Sequence, residues 1–234
     1  MEDGTSKAPP RQENVWASLG INIVIPAVIL MKFSGASALG PVGGLVVALA
    51  FPLGYGIYDF LRRREWNFVS VLGFVSILLT GGIGLLALDP KWIAVKEAAV
   101  PATIGIAVLL SLRTRFPIIR TFLYNDKVIR VADVDAALDR AGNRAAFDQT
   151  LVHASWMLAG SFFLSSVLNF VLAKLIVKSQ PGTTAFNEEL GRMTALSYPV
   201  IVIPSMLIMI ATLWYLFHRI QRLTELDLEQ ILKT

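Results

Sequence analysis

The chain alternates between long apolar runs and short polar stretches, a pattern that predicts helices crossing a membrane. A helix that spans a bilayer needs about 20 mostly apolar residues. Six runs have about that length: residues 15–33, 38–60, 66–88, 92–112, 154–177 and 195–217. The pattern therefore predicts an all-α polytopic membrane protein with about six transmembrane helices.

The composition also indicates that a bilayer is the solvent for most of this chain. Of its 234 residues, 55% are hydrophobic and 16% are charged, whereas an ordinary soluble domain is about 25% charged. The absence of cysteine excludes disulfides and thiolate metal sites. Residues 34–38 resemble a signal-peptide cleavage site, but the tail before the first run lacks a basic segment, so we expect that run to be a retained span.

The positive charges between the runs predict the orientation of the helices. Lys and Arg collect in the cytoplasmic loops of membrane proteins, and 15 of the 21 lie on the side that holds both termini. We therefore expect N and C termini in the cytoplasm. The chain then divides into a cytoplasmic polar tail at 1–14, transmembrane helices one to four at 15–112, a cytoplasmic amphipathic connector at 113–150, helices five and six at 151–217, and a cytoplasmic tail at 218–234.

The basic segments on this side are candidates for contact with anionic lipid. The segment FPIIRTFL predicts a short helix on the cytoplasmic face, with its apolar side in the headgroup region. We expect residues 133–152 to form a helix leading into span five. Asp133 or Asp135 can cap its start, and Gly142-Asn143 can interrupt it. Neighbouring aspartates offset the basic charge, which favours lipid and no nucleic-acid partner. The candidate lipid contacts are Arg62, Arg63, Arg64, Arg113, Arg115 and Arg120.

Small residues recur at every fourth position around the start of the second run: Ala36, Gly40, Gly44 and Ala48. This spacing places them on one face of a helix, where small side chains allow a neighbouring backbone to approach closely. Two alternatives stay open for this helix-packing face, namely tight packing inside the monomer and a homodimer seam.

Two adjacent ionisable residues, Lys96 and Glu97, interrupt span four. Adjacent helical positions point about 100° apart, so we do not expect these side chains to share a face. The Lys96 stem can carry its ammonium outward to the headgroups. Glu97 is shorter and lies deeper, and Pro101 removes the usual hydrogen-bond donor of its carbonyl. Ionisable groups within spans usually face the protein interior or a wet cavity.

Span five carries further polar residues towards the same side of the membrane. Lys174 and Lys178 lie near its outer end, with Asn169 further in. If spans four and five touch, Lys174 can neutralise Glu97. Two alternatives stay open: a structural role, as a buried ion pair or two snorkelling lysines, and a small polar cavity, open to the outer leaflet, that receives a headgroup, an anion or a proton. The candidate polar site consists of Lys96, Glu97, Lys174 and Asn169.

No sequence motif identifies a reaction class. The chain lacks a Gly-rich phosphate loop, His-Glu-x-x-His, Gly-x-Ser-x-Gly and clustered carboxylates, which are the patterns that would indicate one. His153 and His218 lack the neighbours of a metal site. We therefore expect no enzyme activity, no catalytic residue, no metal and no cofactor.

The run GYGIYDFLRRREWNFVSVLGFVSILLTGGIGLLALDPKWIAVKEAAVPATIGIAVLLS resembles the intracellular septation protein A family of bacterial inner-membrane proteins, or a close relative of it. The shared features are a tyrosine before a basic turn, a glycine pair in span three, a tryptophan-containing outer turn and a lysine in span four. FPIIRTFL and two fifth-span residues also fit the family. The residues concerned are Tyr58, Gly81, Gly82, Trp92, Lys96, Trp156 and Asn169.

The resemblance covers residues 20–217, with a longer connector at 125–150 and a different outer loop at 179–192. It implies a multi-pass protein of the bacterial inner membrane with a role in the cell envelope or septum. The first hypothesis is therefore a non-enzymatic protein that supports envelope or septum assembly through a membrane-protein partner or as a homo-oligomer. The alternatives are a small transporter or lipid-handling protein with an outer-leaflet polar site, and a minor subunit of a larger membrane complex. Membrane lipids are expected partners in each case.

Overall fold

The computed structural model describes residues 20–63, 68–114, 117–124, 126 and 129–233. Within these residues the regular elements are helices, and one isolated β-bridge joins Ile129 to Leu232. The α-helices are α1 (Ile25–Lys32), α2 (Gly40–Arg63), α3 (Phe68–Leu85), α4 (Lys91–Ser111), α5 (Ile118–Leu123), α6 (Val131–Ala141), α7 (Arg144–Ile176), α8 (Thr184–Ser197), α9 (Ile203–Thr224) and α10 (Leu228–Ile231). Two π-helical turns, Gly20–Val24 and Tyr198–Val202, precede α1 and join α8 to α9.

Four helices in the described part of the chain are long and apolar enough to cross a membrane. They are Gly40–Tyr58 within α2, Lys91–Ser111, Arg144–Ile176, and the continuous helix Thr184–Thr224. The protein is therefore an all-α membrane protein, and these helices coincide with predicted spans two, four, five and six. Predicted spans one and three begin at residues outside the described part; the described portion of span one contains the π-helical turn Gly20–Val24 and α1, and that of span three contains α3.

The most extensive helix contact joins α4 to α7, which run antiparallel. The Ser166 hydroxyl on α7 donates to the Ala98 carbonyl on α4 at 2.8 Å. Further along α4, Gly105 lies against Phe162 and Phe163, and a Cβ there would approach a Phe163 ring carbon to 3.2 Å. The missing side chain at Gly105 thus allows the two helices to pack closely.

The apolar core is divided into two clusters at opposite ends of the α4–α7 pair. One cluster surrounds Phe147 and Ile220, where α4 ends and α7 begins. The other surrounds Leu45, Ile93 and Phe186, where α4 begins and α7 ends. Helix α9 packs on α7, and its buried residues Leu216, Ile220 and Leu223 belong to the first cluster.

The predicted connector folds together with the C-terminal tail into what we call the connector module, which comprises α5, α6, the start of α7, the end of α9, and α10. The Asn143 side-chain amide donates to the Leu223 carbonyl at 2.9 Å. The Arg130 amide donates to the Ile231 carbonyl at 2.8 Å. Because the Ile231 side chain is fully buried in the first cluster, the tail is an integral part of this module.

Three local predictions for the connector have different outcomes. The predicted break at Gly142 is confirmed, since α6 ends there with a left-handed residue at φ 69°. The capping prediction is wrong, because α6 begins after Arg130 without a side-chain cap, and neither Asp133 nor Asp135 serves as one. The short helix α5 forms, and its Ile119 side chain is fully buried in the module core.

The row of small residues around the start of α2 is only partly helical. Ala36 lies exposed in the turn before α2, and Gly40 begins the helix with a φ of 69°. Gly44 and Ala48 lie within the helix and are buried by the rest of the chain. A Cβ at Gly44 would collide with the Ser34 side chain. Internal packing therefore covers the helical half of this row.

Residues 179–192, expected to be an outer loop, contain the whole first half of α8. The Thr183 side chain accepts a hydrogen bond from the Phe186 amide at 3.2 Å and thereby caps the helix start. One turn further on, the Asn187 side-chain amide donates to the Ser34 hydroxyl at 3.0 Å. This bond ties α8 to the turn between α1 and α2.

The π-helical turn Tyr198–Val202 joins α8 and α9 into a single rod. Such a turn accommodates one extra residue within a helix. Pro199 within it and Pro204 just after it supply no backbone amide donor. The two halves of the rod have different neighbours, since α8 packs mainly on α1 and α9 mainly on α7.

Candidate functional site

Exposed tryptophans mark two levels along the bundle. Ala98 and Ser166 lie opposite each other, since they share a hydrogen bond. Trp92 precedes Ala98 by six residues, and Trp156 precedes Ser166 by ten. At 1.5 Å per residue, the two indoles therefore lie about 24 Å apart along the antiparallel helix axes. The hydrocarbon core of a bilayer is about 30 Å thick, and tryptophan is enriched at both of its interfaces. The separation of the two tryptophans is therefore close to the thickness of a bilayer core.

A cleft of about 750 Å³ opens at the Trp92 level, between the start of α4 and the end of α7. Its charged lining consists of Asp89, Lys91, Lys174 and Lys178. The rest of its lining is mainly apolar and consists of Pro90, Ala94, Val95, Phe170 and Val177, with Gln180 beside them. The cleft thus combines three positive charges and one negative charge with an apolar wall.

Asp89 organises the start of α4 and holds one of the three lysines. One carboxylate oxygen accepts the Lys91 amide at 2.9 Å, and the other lies 3.0 Å from the Lys91 ammonium. These bonds, first from the amide and then from the side chain, lower the pKa of Asp89 below its ordinary value. Asp89 is therefore ionised at neutral pH, and the cleft keeps a net positive charge.

Lys174 is held against the apolar wall of the cleft. Its ammonium lies 5.8 Å from the centroid of the Phe170 ring, one turn earlier on α7. This is the range in which a cation is attracted to an aromatic face. The ammonium therefore stays close to the wall of the cleft, where an incoming anion would meet it.

Glu189 on α8 fixes the loop that carries Lys178. One of its carboxylate oxygens accepts the amides of Lys178 and Ser179, both at 2.8 Å. The other accepts the Ser179 hydroxyl at 2.8 Å. Because three donors occupy this carboxylate, it holds the backbone of the loop in place at the edge of the cleft. Glu189 itself is not part of the lining.

Lys96 and Glu97 form an ion pair with each other. The Lys96 ammonium lies 2.6 Å from a Glu97 carboxylate oxygen and 3.3 Å from the Ser76 hydroxyl on α3. The Lys96 side chain is 6% exposed and the Glu97 side chain 25%. Two expectations are therefore wrong: the adjacent side chains do meet, and Lys96 points into the protein instead of outward to the headgroups.

The predicted polar site is divided between two places in the structure. Lys174 lines the cleft. Lys96 and Glu97 lie about one helical turn beyond Trp92 on α4 and are absent from the lining. Within the described part of the chain, the ion-pair partner of Glu97 is Lys96, so the expected pair with Lys174 is not formed. Asn169 donates within its own helix, to the Ser165 carbonyl at 2.8 Å.

The arginines predicted to contact lipid are only partly described. Arg113 is exposed at the end of α4. Arg120 lies 3.9 Å from Asp148 in the connector module. The side chains of Arg62 and Arg63 lie outside the described part of the chain, and so do the whole residues Arg64 and Arg115.

Sequence reasoning missed Asp89 and Lys91 as members of the site. One weak indication was present in the sequence: both residues stand at the start of span four. If spans four and five pack antiparallel, the start of α4 lies beside the end of α7, which carries Lys174 and Lys178. Among the described residues, no group of three or more metal-ligating side chains is close enough to hold a metal ion. Comparisons with protein-family models, with curated proteins and with solved structures give no match for this chain.

Proposed function

We propose that this protein binds the headgroup of an anionic membrane lipid in the lysine-lined cleft and that it handles this lipid in the cell envelope. One observation carries the proposal: a cleft of about 750 Å³ at the level of Trp92 is lined by Lys91, Lys174 and Lys178 beside apolar side chains. Basic pockets between transmembrane helices bind anionic lipid headgroups on the cytoplasmic side of membranes, and we infer the same charge pairing at this cleft. The proposed role is binding and includes no covalent step.

The depth of the cleft supports a membrane lipid as the ligand. At the Trp92 level a lipid phosphate stands beside the lysines while its acyl chains continue along the outer surface of the bundle. Val95 and Val171 are 44% and 45% exposed on that path. An ammonium on a four-carbon stem and an apolar stripe below it suit the two parts of a phospholipid.

The proposed topology has six transmembrane helices, with both termini in the cytoplasm of a bacterium and the protein in the inner membrane. The distribution of Lys and Arg supports it, since the connector segment and the C-terminal tail, both rich in basic residues, belong to one module near the Trp156 level. The cleft at the other end then faces the outer leaflet. The resemblance to the septation protein A family adds the envelope or septum as the place of action.

A scaffold that supports envelope or septum assembly, or a minor subunit of a larger complex, is the second candidate. The connector module favours it, because a compact folded unit at the bilayer surface offers a site for a membrane-protein partner. The row from Ala36 to Ala48 does not favour a homodimer seam, since Gly44 and Ala48 are covered within the monomer.

Gentle extraction from native membranes, followed by intact-complex mass spectrometry of protein and lipid together, tests these alternatives. We expect one anionic lipid per chain to be retained by the wild type and lost by Lys174→Gln. The matched control is Lys32→Gln, which removes an exposed lysine of α1 that does not line the cleft.

Equal lipid retention by the two variants would overturn lipid binding at the cleft. A protein partner at fixed stoichiometry, together with no retained lipid, would instead establish the scaffold or subunit function. The two results are distinguishable in one spectrum, because a lipid and a protein subunit differ in mass by more than an order of magnitude.

A further inference from the structure

We propose that the cleft selects lipid phosphates carrying two negative charges, such as phosphate monoesters, over singly charged phosphodiesters; this inference rests on the proposed lipid-binding function. The lining has three lysines and one aspartate. Two units of positive charge are therefore left over, which matches a dianionic headgroup.

The placement of Asp89 indicates which lysines meet the phosphate first. Its ion pair with Lys91 has side-chain exposures of 51% and 66%, so the pair stands in water at the rim. Exposed pairs of this kind are weak. Within the described part of the chain, Lys174 and Lys178 make no ion pair closer than 4.0 Å. These two ammonium groups can both turn towards one ligand.

Lys174 and Lys178 have no carboxylate within ion-pair distance in the described part of the chain. Lys174 stays over the Phe170 ring, against an apolar wall. The Glu189 carboxylate, outside the lining, accepts two amides and a hydroxyl from the Lys178 loop. It attracts Lys178 only at longer range. A phosphate in the cleft therefore meets cations that lack a close counter-ion.

The preference for a monoester over a diester follows from the number of phosphate oxygens and negative charges that these lysines can bind. A phosphate monoester carries a charge of about −1.5 to −2 at neutral pH and offers three strong acceptor oxygens. A phosphodiester has a single charge and two free oxygens. We expect the monoester to be preferred about fivefold, the factor that one further lysine contact gives near an anionic surface.

Full-length protein in nanodiscs of phosphatidylcholine tests the selectivity directly. Equal fractions of phosphatidic acid, a monoester, and phosphatidylglycerol, a diester, compete for the cleft, and intact-complex mass spectrometry counts the lipid retained. We expect about fivefold more phosphatidic acid in the wild type. Lys174→Gln and Lys178→Gln should each remove most of this preference, whereas Lys32→Gln should keep it.

Asp89→Asn provides a change in the opposite direction. It removes the rim carboxylate and frees Lys91, so retention of both anionic lipids should rise above the wild-type level. A variant that merely disturbed folding would lose retention instead. Unchanged retention by Asp89→Asn, or lower retention at an unchanged unfolding temperature, would overturn the assignment of Asp89 as a competitor for the lysines.

The outcomes separate this inference from the proposed function. Equal retention of the two lipids, both lost in Lys174→Gln, would overturn the monoester preference and leave lipid binding in place. Retention that is the same in Lys174→Gln and Lys32→Gln would overturn both. Displacement of phosphatidic acid by an equal concentration of inorganic phosphate would show that the cleft recognises free phosphate, and would overturn the assignment to a lipid.

Discussion

Lys96 and Glu97 are consecutive in the chain and ion-paired in space, with 2.6 Å between ammonium nitrogen and carboxylate oxygen. The same ammonium reaches the Ser76 hydroxyl at 3.3 Å, so the pair also ties α3 to α4. It lies about 6 Å deeper than Trp92 along α4, inside the membrane-spanning part of the helix. An isolated charge at that depth is costly, whereas a paired one is tolerated.

Removing one member of this pair should destabilise the protein more than removing both. Glu97→Gln leaves the Lys96 ammonium, 6% exposed, without its counter-charge, and we expect a loss of about 3 kcal/mol in the free energy of unfolding. The double variant Lys96→Met/Glu97→Leu should lose less, because apolar side chains need no partner there. Thermal unfolding of the purified protein in detergent measures both.

The control for this pair is Lys91→Met, which breaks the exposed ion pair with Asp89. Exposed pairs contribute little, so the change should stay below about 1 kcal/mol. A double variant that is as unstable as Glu97→Gln would contradict the role of Glu97 as the counter-charge of Lys96.

Gly44→Ala should destabilise the contact between α2 and the turn before it. The added methyl would collide with the Ser34 side chain, and its distance from the Ser34 Cα would be 3.0 Å. Overpacking of this kind costs about 1–3 kcal/mol. Gly54→Ala in the same helix meets nothing within 4 Å and should be neutral or slightly stabilising. The unfolding temperatures of the two variants in one detergent test the difference. Similar values would show that the turn before α2 is loosely packed against the helix.

Ile231→Ala should loosen the connector module from the C-terminal end. Ile231 is fully buried, whereas Leu228 in the same short helix is 43% exposed. Truncating a buried isoleucine costs about 2–5 kcal/mol, so the module should become more accessible to protease. Leu228→Ala is the matched control and should leave the cleavage rate of the intact protein nearly unchanged. Equal cleavage rates for the two variants would argue against a docked tail.

Tyr124 should make the connector module sensitive to alkaline pH. Its hydroxyl donates to Asp135 at 2.9 Å, and burial followed by this hydrogen bond raises the pKa of Tyr124 above its ordinary value of 10.0. A raised pKa means that the folded state disfavours the phenolate. The stabilisation is therefore complete below pH 10.0 and is lost as the pH rises from there towards the raised pKa.

The measurement for Tyr124 is the unfolding temperature as a function of pH. Tyr124→Phe should flatten the decline above pH 10.0, while being less stable than the wild type at neutral pH because Asp135 loses a donor. Tyr215→Phe removes a phenol elsewhere in the module region and should keep the decline. An alkaline decline of the same size in Tyr124→Phe would assign the effect to another group.

The sequence was sufficient where a single helix decides the outcome. Runs of apolar residues identified four membrane-spanning helices, and Gly142 marked a helix end because a left-handed residue is needed there. The sequence was insufficient where the apolar face of a helix can pack either against lipid or against another part of the protein. Ile119 was expected in the headgroup region, but its side chain is buried in the chain's own module, which depends on contacts between distant segments.

The candidate site also combines features that one helix decides with features that depend on contacts between distant segments. Lys174 was identified from its position near the end of a span, which is a local property. Its neighbours Asp89 and Lys91 depend on the antiparallel pairing of α4 and α7, which no local pattern specifies. The Lys96–Glu97 pair depends on side-chain rotamers that bend two divergent stems towards one another, and helix geometry alone predicted the opposite.

The π-helical turn at Tyr198–Val202 has a consequence for any mutational map of the last helix. One additional residue in a turn rotates everything after it by about 100° relative to a regular α-helix. A single helical wheel drawn from Thr184 to Thr224 would thus assign lipid-facing positions of α9 to the wrong sector. Deleting one residue from the turn would bring α8 and α9 into phase, and would force either the α1 contact or the α7 contact to rotate away from its partner.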